Sequence, residues 1–339
     1  MIKFIGNPQN NQEQAAGIGV LLTNLGTPDA ATPKAVRKYL AEFLWDPRVV
    51  ELPRPLWWML LHGLVLRLRP RRSAKNYQRI WTPHGSPLLA IGERQAKALR
   101  QTLVLEGHAQ VKVVLAMRYG TPSIAEGLEK LRQANVGKII VLPLYPQYAS
   151  ATTGSTFDAV IRVLQTWRVV PGLHFIDHYY EHPSYIQAIA QSIQEQWDEK
   201  GKTEHLLFSF HGLPQRSVDQ GDPYARQCHA TAKAVAEVLQ LSEEAWEVVF
   251  QSRFGRAQWL QPYCDKTLKQ LGKQGVKSVT IVCPGFSADC LETLDEIARE
   301  YKEVFLKAGG ERFDYVKALN FSAPHIQMMY ELIAGYCSE

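Results

Sequence analysis

The sequence predicts an α/β protein built of two similar halves, each a parallel sheet flanked by helices. Short runs rich in β-branched residues alternate with longer stretches of helical period, the pattern of parallel α/β domains. The chain of 339 residues is long enough for two cores. Three marks of the first half also return, in order, in the second. "NLGTP" from Asn24 is answered by "SFHGLP" from Ser209, and "MRYG" from Met117 by "SRFG" from Ser252. "VGKIIVLPLYPQYASATTGST" from Val136 is answered by "VKSVTIVCPGFSADCLETL" from Val276. One such agreement arises easily by chance; three in the same order point to duplication.

Taken in order, strands are predicted at residues 19–25, 111–118, 138–144, 206–210, 247–253, 278–283 and 313–319. Helices are predicted at 33–44, 123–133, 156–166, 224–239 and 291–306, with further helices in the gaps. Pro33 behind Thr32 fits a helix start, threonine as cap and proline in the first turn. Gly212 and Pro214 stop the strand that ends "LLFSF" and leave His211 at its tip. The expected division is a first half at 16–168 with an apolar segment at 52–72, and a second half at 169–318 carrying His211 and an acidic helix. A C-terminal helix at 319–339 is expected to pack back on the first half. Ligands of open parallel sheets bind outside the carboxyl ends of the strands, so if the halves face each other the repeated loops line one cleft.

Hydrophobic content of 46% and charged content of 21% are those of a folded globular protein. The net charge of +5 is local: Arg67, Arg69, Arg71, Arg72, Lys75 and Arg79 follow one another with no acid between them. Directly before them "LWWMLLHGLVL", residues 56–66, is an apolar run broken by His62 and Gly63. A membrane-spanning helix needs roughly 20 apolar residues, so this run does not cross a bilayer. It is a core segment, the wall of an apolar pocket, or a patch on an anionic membrane surface. Its aromatics do not alternate with the bases, which speaks against nucleic acid and for a lipid headgroup boundary. The cysteines at 228, 264, 283, 290 and 337 form no CxxC pair, and the N-terminal stretch is polar with no secretory core. A cytoplasmic protein, peripheral at the inner face of the membrane, is expected.

Three groups carry chemistry. His211 at a strand tip is one, although a lone histidine is more often structural. Asp289, Glu292, Glu296 and Glu300 fall at steps of three, four and four, a stripe on a regular helix. Such a stripe is commonly a solvated face, yet this one starts at the loop "CPGFSAD", and stacked acids repel unless cations or protons are handled there. The third group is Arg118, Tyr119, Tyr145 and Tyr148 with the hydroxyls of Ser150, Thr152, Thr153 and Ser155, able to hold an anion at a helix start or simply to pack. No GxGxxG or P-loop pattern is present, so a carboxylate-bearing ligand is favoured over a nucleotide.

At this point the residues resemble a family. "LLFSFHGLPQRSVDQGDPY" from Leu206 is similar to the signature of the ferrochelatases, which insert ferrous iron into a porphyrin. The resemblance continues through "LLTNLGTP", "HGSPL", "AMRYG", "YPQYASATTGS", "QSRFGRAQWLQP" and "GFSADCLETLDE", from about residue 17 to residue 325. It implies two Rossmann-like, chelatase-type domains with the active-site cleft between them. It implies His211 and Glu292 as the facing catalytic and metal-handling pair, with Glu296 and Asp289 behind them. Leu22, Arg118, Tyr119, Tyr148, Ser150, Trp259 and Phe286 would line or support the porphyrin site, with Trp57 and Leu61 in an apolar lip. The reaction implied is insertion of Fe(2+) into protoporphyrin IX with release of two protons, the last step of heme biosynthesis. Iron is then a substrate, no cofactor is required, and no [2Fe-2S] cluster is expected beside Cys337. The partners are protoporphyrin IX, ferrous iron and the membrane surface, without nucleic acid, in a monomer or homodimer.

Cys290 stands where some members have histidine, a substitution that resembles the Gram-negative branch, and His84 stands where glycine is usual. Rival readings are a coproporphyrin ferrochelatase, another tetrapyrrole metal chelatase, and a non-catalytic porphyrin or heme carrier. Four stacked acids serve a carrier poorly, and the apolar run at 56–66 suits a less anionic porphyrin.

Overall fold

A computed structural model describes residues 4–6, 17–255 and 257–337. Most of the polar N-terminal stretch, Arg256 in the "QSRFGRAQWLQP" motif and residues 338–339 lie outside the described residues. The chain divides into two compact units. The first comprises Met1–Leu144, Ser150–Asp177 and Ile326–Glu339; the second comprises Tyr145–Ala149 and His178–His325.

In the first unit β1 (Gly17–Thr27) is followed by four helices, α1 (Pro33–Trp45), α2 (Arg54–Leu60), α3 (Leu66–Ile80) and α4 (Pro87–Leu105). Then come β2 (Lys112–Gly120), α5 (Ile124–Gln133), β3 (Val136–Pro143), α6 (Ser155–Leu164) and β4 (Gly172–Phe175). The sheet is parallel in the order β2-β1-β3-β4. Thr32 caps α1 by accepting from the Ala35 N–H at 3.3 Å, and Ser123 with Glu126 closes a capping box on α5. Leu21, Ile139, Val141, Leu128, Leu131 and Val160 fill the core between sheet and helices.

The second unit repeats the plan. It contains α7 (Pro183–Lys200), β5 (His205–His211), α8 (Gln215–Asp219), α9 (Tyr224–Val238), β6 (Trp246–Gln251), α10 (Cys264–Lys273), β7 (Ser278–Val282), α11 (Lys302–Lys307) and β8 (Arg312–Val316). The last helix, α12 (Ala323–Ala334), begins in this unit. The strand order is β6-β5-β7-β8, again parallel, so second, first, third and fourth strands stand in the same sequence in both sheets. The likeness extends to a detail that hydropathy does not reveal. After the third strand of each sheet the chain winds into a π-helix, Ser150–Gly154 in one unit and Glu292–Tyr301 in the other.

Some boundaries differ from the sequence expectation for identifiable reasons. β1 runs on through Gly26 and Thr27, which pair with Tyr119 and Gly120 instead of turning. β6 stops at Gln251 because Ser252 takes φ +62, outside the extended range. The strand β4, "GLHF", was not foreseen: four residues with one glycine and one histidine give no β-branched run.

The apolar run at 56–66 belongs to one continuous helical arm, in which a π-turn, Leu61–Val65, joins α2 to α3. Trp57, Leu61, Leu66, Pro70, Ala74 and Tyr77 face the core at steps of four, five, four, four and three. The single step of five is the residue that the π-turn inserts. Without it the buried faces of α2 and α3 would fall out of line. Among the described residues no helix is long and apolar enough to cross a membrane. All five cysteines are buried and unpaired with one another.

Candidate active site

In the second unit, β5 delivers His211 to its carboxyl-terminal tip, in register with Gln251 at the tip of β6. The imidazole Nδ1 lies 2.7 Å from the Gly212 carbonyl oxygen. A carbonyl can only accept, so Nδ1 carries the hydrogen, and in the neutral ring Nε2 is the bare nitrogen. Gly212 makes this turn possible. A Cβ there would sit 2.9 Å from the Gln251 carbonyl oxygen and 3.2 Å from the Trp259 ring. Trp259 itself is buried and donates its indole N–H to the Phe254 carbonyl at 3.0 Å.

The acids follow β7 on the π-helix and not on a regular α-helix, so each turn takes an extra residue and the expected stack opens out. Glu292 and Glu296 are half-buried, whereas Glu300 is exposed and paired with Arg299 at 2.8 Å. Glu296 accepts from the Ser252 N–H at 3.0 Å, from the Ser252 hydroxyl and from the Tyr301 hydroxyl at 2.7 Å. Burial holds its carboxyl above the usual carboxylate range; the Ser252 and Tyr301 hydrogen bonds and the His211 charge pull the other way, and Glu292 adds to the rise. Cys290, beside this helix start, keeps its thiol protonated because burial, then the charge of Glu292, push it up.

Asp289 is placed differently from a ligand-facing acid. It is buried, and its carboxylate accepts from Tyr315 at 2.6 Å, Asn320 at 2.8 Å and Thr293 at 3.0 Å. Its acceptor sites are used inside the unit, which anchors the start of the π-helix to the segment after β8. Phe286 is half-buried against the core of this unit, and Tyr148 is half-buried with its N–H donated to Gln227 at 2.6 Å.

The first unit gathers the remaining expected residues around a buried carboxylate, Asp46. Arg118 pairs with it, the Tyr119 hydroxyl donates at 2.9 Å, and the Ser155 hydroxyl donates at 2.6 Å. Burial by itself would raise the Asp46 carboxyl, but the Ser155 hydrogen bond, the Arg48 N–H and the Arg118 charge bring it below the usual range. Tyr119 is fully buried, so it supports Arg118 from behind and does not form a wall. Ser150 accepts from Arg48 at 2.9 Å, and the same guanidinium grips Asp158 at 2.5 Å. The hydroxyl loop is thus held by this chain's own arginine. Leu22 lies at 0% exposure within β1. Trp57 and Leu61 are likewise core residues, with the Trp57 indole N–H bonded to the Leu44 carbonyl at 2.6 Å. The exposed apolar side chains of this arm are Leu56, Trp58, Met59, Leu60, Leu64 and Leu68, the face opposite the packed one.

Sequence reasoning passed over Gln251, Ser252, Tyr301 and Asn320 as site residues. The first two sit in "QSRFG", where the quoted repeat drew attention to Arg253 and Gly255 instead. Asp46 gave no signal, since its partners are 72, 73 and 109 residues away. Among the described residues no group of three or more His, Cys, Asp and Glu is arranged to hold a metal ion.

Comparison with known proteins bears on this arrangement. A ferrochelatase family profile matches residues 17–336. A ferrochelatase of Thioalkalivibrio sulfidiphilus is 53% identical over 332 residues, 98% of this chain and 90% of that one. One of Methylococcus capsulatus is 55% identical over 322 residues, 95% of this chain and 97% of that one. Among solved structures, SirB from Bacillus subtilis with Fe3+ has a TM-score of 0.52 at 13% identity, over 95% of this chain and 96% of that one. A multi-domain protein of Deinococcus radiodurans, described as structurally similar to chelatases, has a TM-score of 0.53 at 14% identity, over 94% of this chain and 55% of that one. At those identities the likeness concerns the fold alone, two parallel α/β units of chelatase type. The family profile and the two relatives, each matching nearly the whole chain, settle the family: this chain belongs to the ferrochelatases.

Proposed function

We propose that the protein inserts Fe(2+) into protoporphyrin IX to give protoheme, the last step of heme biosynthesis, and that His211, Glu292 and Glu296 handle the protons and the metal. The observation that carries the reading is the tautomer of His211. With Nδ1–H committed to Gly212, the neutral ring presents a bare Nε2, the atom that can accept a proton or bind a metal.

Metal insertion needs two pyrrole N–H protons to leave, and the iron's ligand water to be replaced by the four ring nitrogens. In this reading Nε2 of His211 accepts the two pyrrole protons one after the other, and each passes to Glu296 and from there to water before the next is taken. Burial supports that role, since a carboxyl held above its ordinary range is the better proton acceptor. Glu292, whose carboxylate is half-buried and neighboured by the weakly donating Cys290 thiol, meets the ferrous iron as a transient ligand, which suits a site where the metal is cargo. Asp289 acts as a positioning residue that fixes the start of the helix bearing both glutamates. Arg118, neutralised by Asp46, shapes its surroundings more than it supplies free charge. Iron is a substrate in this scheme, and no resident cofactor takes part.

Leu56, Trp58, Met59, Leu60, Leu64 and Leu68, followed by the arginines of α3, support a peripheral contact with an anionic membrane, the inner face of the cytoplasmic membrane in a cytoplasmic protein. Co-sedimentation with phosphatidylglycerol vesicles is expected, and weaker binding after Trp58→Ser; equal binding to neutral vesicles would remove the arginines from the account.

Anaerobic incubation with protoporphyrin IX and ferrous iron, followed by loss of porphyrin fluorescence, tests the reaction. Turnover over many equivalents is expected in the native protein and not in His211→Ala. Binding of porphyrin without accelerated metallation would instead leave a carrier.

A further inference from the structure

We propose that Gln251 is a positioning residue that holds the His211 strand tip and the Glu292 helix start at a fixed spacing. The inference rests on the metal-insertion reading above and adds to it the group that aligns its two working side chains. Gln251 ends β6 and is 1% exposed. Its side-chain Nε2 donates to the Glu292 carbonyl at 3.2 Å. Because that carbonyl only accepts, the amide orientation is determined, and Oε1 faces the other way. There it accepts from the Ser209 hydroxyl at 2.8 Å and from the Cys283 thiol at 3.6 Å. Its backbone carbonyl accepts from the Gly212 N–H at 2.7 Å.

One residue therefore ties together three separate segments: β5 at Ser209 with Gly212 just past its end, Cys283 just after β7, and the first residue of the π-helix. Gly212 is held at both ends, its N–H by Gln251 and its carbonyl by the His211 ring. The imidazole orientation and the backbone of Glu292 thus share a single support. Groups that pass protons and metal in sequence need positions fixed to about 0.5 Å, and a buried amide with both ends bonded supplies that rigidity without adding charge.

The test compares the whole protein with Gln251→Leu and Gln251→Glu, measuring iron insertion into protoporphyrin IX, porphyrin affinity by fluorescence quenching, and Tm. Gln251→Leu is expected to lower kcat by about 10- to 100-fold, as loss of a supporting hydrogen bond behind a metal-handling group does, with KM for porphyrin and its affinity little changed. Gln251→Glu has the same shape. Its carboxyl would face the Cys283 thiol, the Ser209 hydroxyl and the Glu292 carbonyl, with the Glu292 and Glu296 carboxylates on the same helix. Protonated, it still donates to Glu292; ionised, it repels that carbonyl. Its activity is expected to approach the native value at low pH and to fall away more steeply than the native profile as pH rises. This variant keeps the question open to disproof should Gln251→Leu fail to fold. The proposal is overturned if Gln251→Leu folds and keeps native kcat, if the Gln251→Glu profile runs parallel to the native one, or if lost turnover simply follows lost porphyrin affinity and Tm. A native protein that metallates nothing defeats the reaction reading and this proposal with it; native turnover with unaffected variants defeats the proposal alone.

Discussion

Tyr301 offers the most direct probe of a single side chain in the acidic helix. Its hydroxyl hydrogen bond favours the ionised form of Glu296, whose carboxyl burial otherwise raises. Tyr301→Phe removes that bond and moves the Glu296 carboxyl further up. If Glu296 must be ionised to receive the proton from His211, the acid limb of kcat/KM shifts to higher pH while the basic limb stays; an unmoved acid limb would take Glu296 out of the proton path. A second test at this scale concerns backbone. Gly26 has φ +108, and a Cβ there would lie 1.8 Å from the Tyr119 carbonyl oxygen. Gly26→Ala therefore forces β1 and β2 apart just where Tyr119 and Arg118 reach Asp46. A loss of about 3 kcal/mol or more in urea unfolding is expected. The place of His211 was legible in the sequence, because a strand tip followed by turn residues leaves a local trace, whereas Gly26 stays within the strand it was expected to end. Asp46 and Gln251 were not legible, because their meaning lies in contacts made across the sheet.

Elements divide the same way. β1, β3 and β7 announce themselves through β-branched runs and β5 through an apolar run of Leu and Phe closed by turn residues, whereas β4 is too short and too mixed to do so. Whether a helix is α or π is invisible to hydropathy over a few turns, and that difference decided where the acids of the second unit stand. It also decided which tryptophan of the arm is buried. The sequence reading put Trp57 and Leu61 on the ligand side of the lip, yet the π-turn aligns both with the core face of α3, leaving Trp58 outward. Trp57→Ala is expected to cost about 3–5 kcal/mol, from lost packing and from the Leu44 carbonyl left without its donor. Trp58→Ala, at 54% exposure, is expected to stay within about 0.5 kcal/mol. Denaturant midpoints of the two variants measured side by side decide the assignment, and the reverse ranking would sink it.

Across the molecule, two sheets of one strand order, each with a π-helix after its third strand, carry different chemistry in equivalent places. The first unit's π-helix, "SATTG", bears hydroxyls and lies beside the arginine-bound Asp46; the second unit's bears Glu292 and Glu296. A shared backbone plan thus carries hydroxyls in one copy and carboxylates in the other, each copy keeping its own buried polar anchor. In the second unit the anchor continues from Asp289 through Asn320 to His325, whose Nδ1 donates to the Asn320 carbonyl at 2.6 Å. Burial lowers the His325 pKa to about 4, against about 6.5 for an unfolded histidine. Between those values the unfolded chain binds the proton and the folded one does not. Stability from this group is therefore complete above about pH 6.5, declines as pH falls toward 4, and changes no further below that. From pH 7 to pH 5 the loss is about 2 kcal/mol by this linkage. His325→Gln, neutral throughout, removes the dependence while the rest of the titrating groups stay the same. Urea unfolding of both proteins at pH 7 and pH 5 should show the native protein losing about 2 kcal/mol more than the variant. Equal losses would mean that His325 is protonated in the folded protein and that the Asn320 carbonyl is held by an imidazolium.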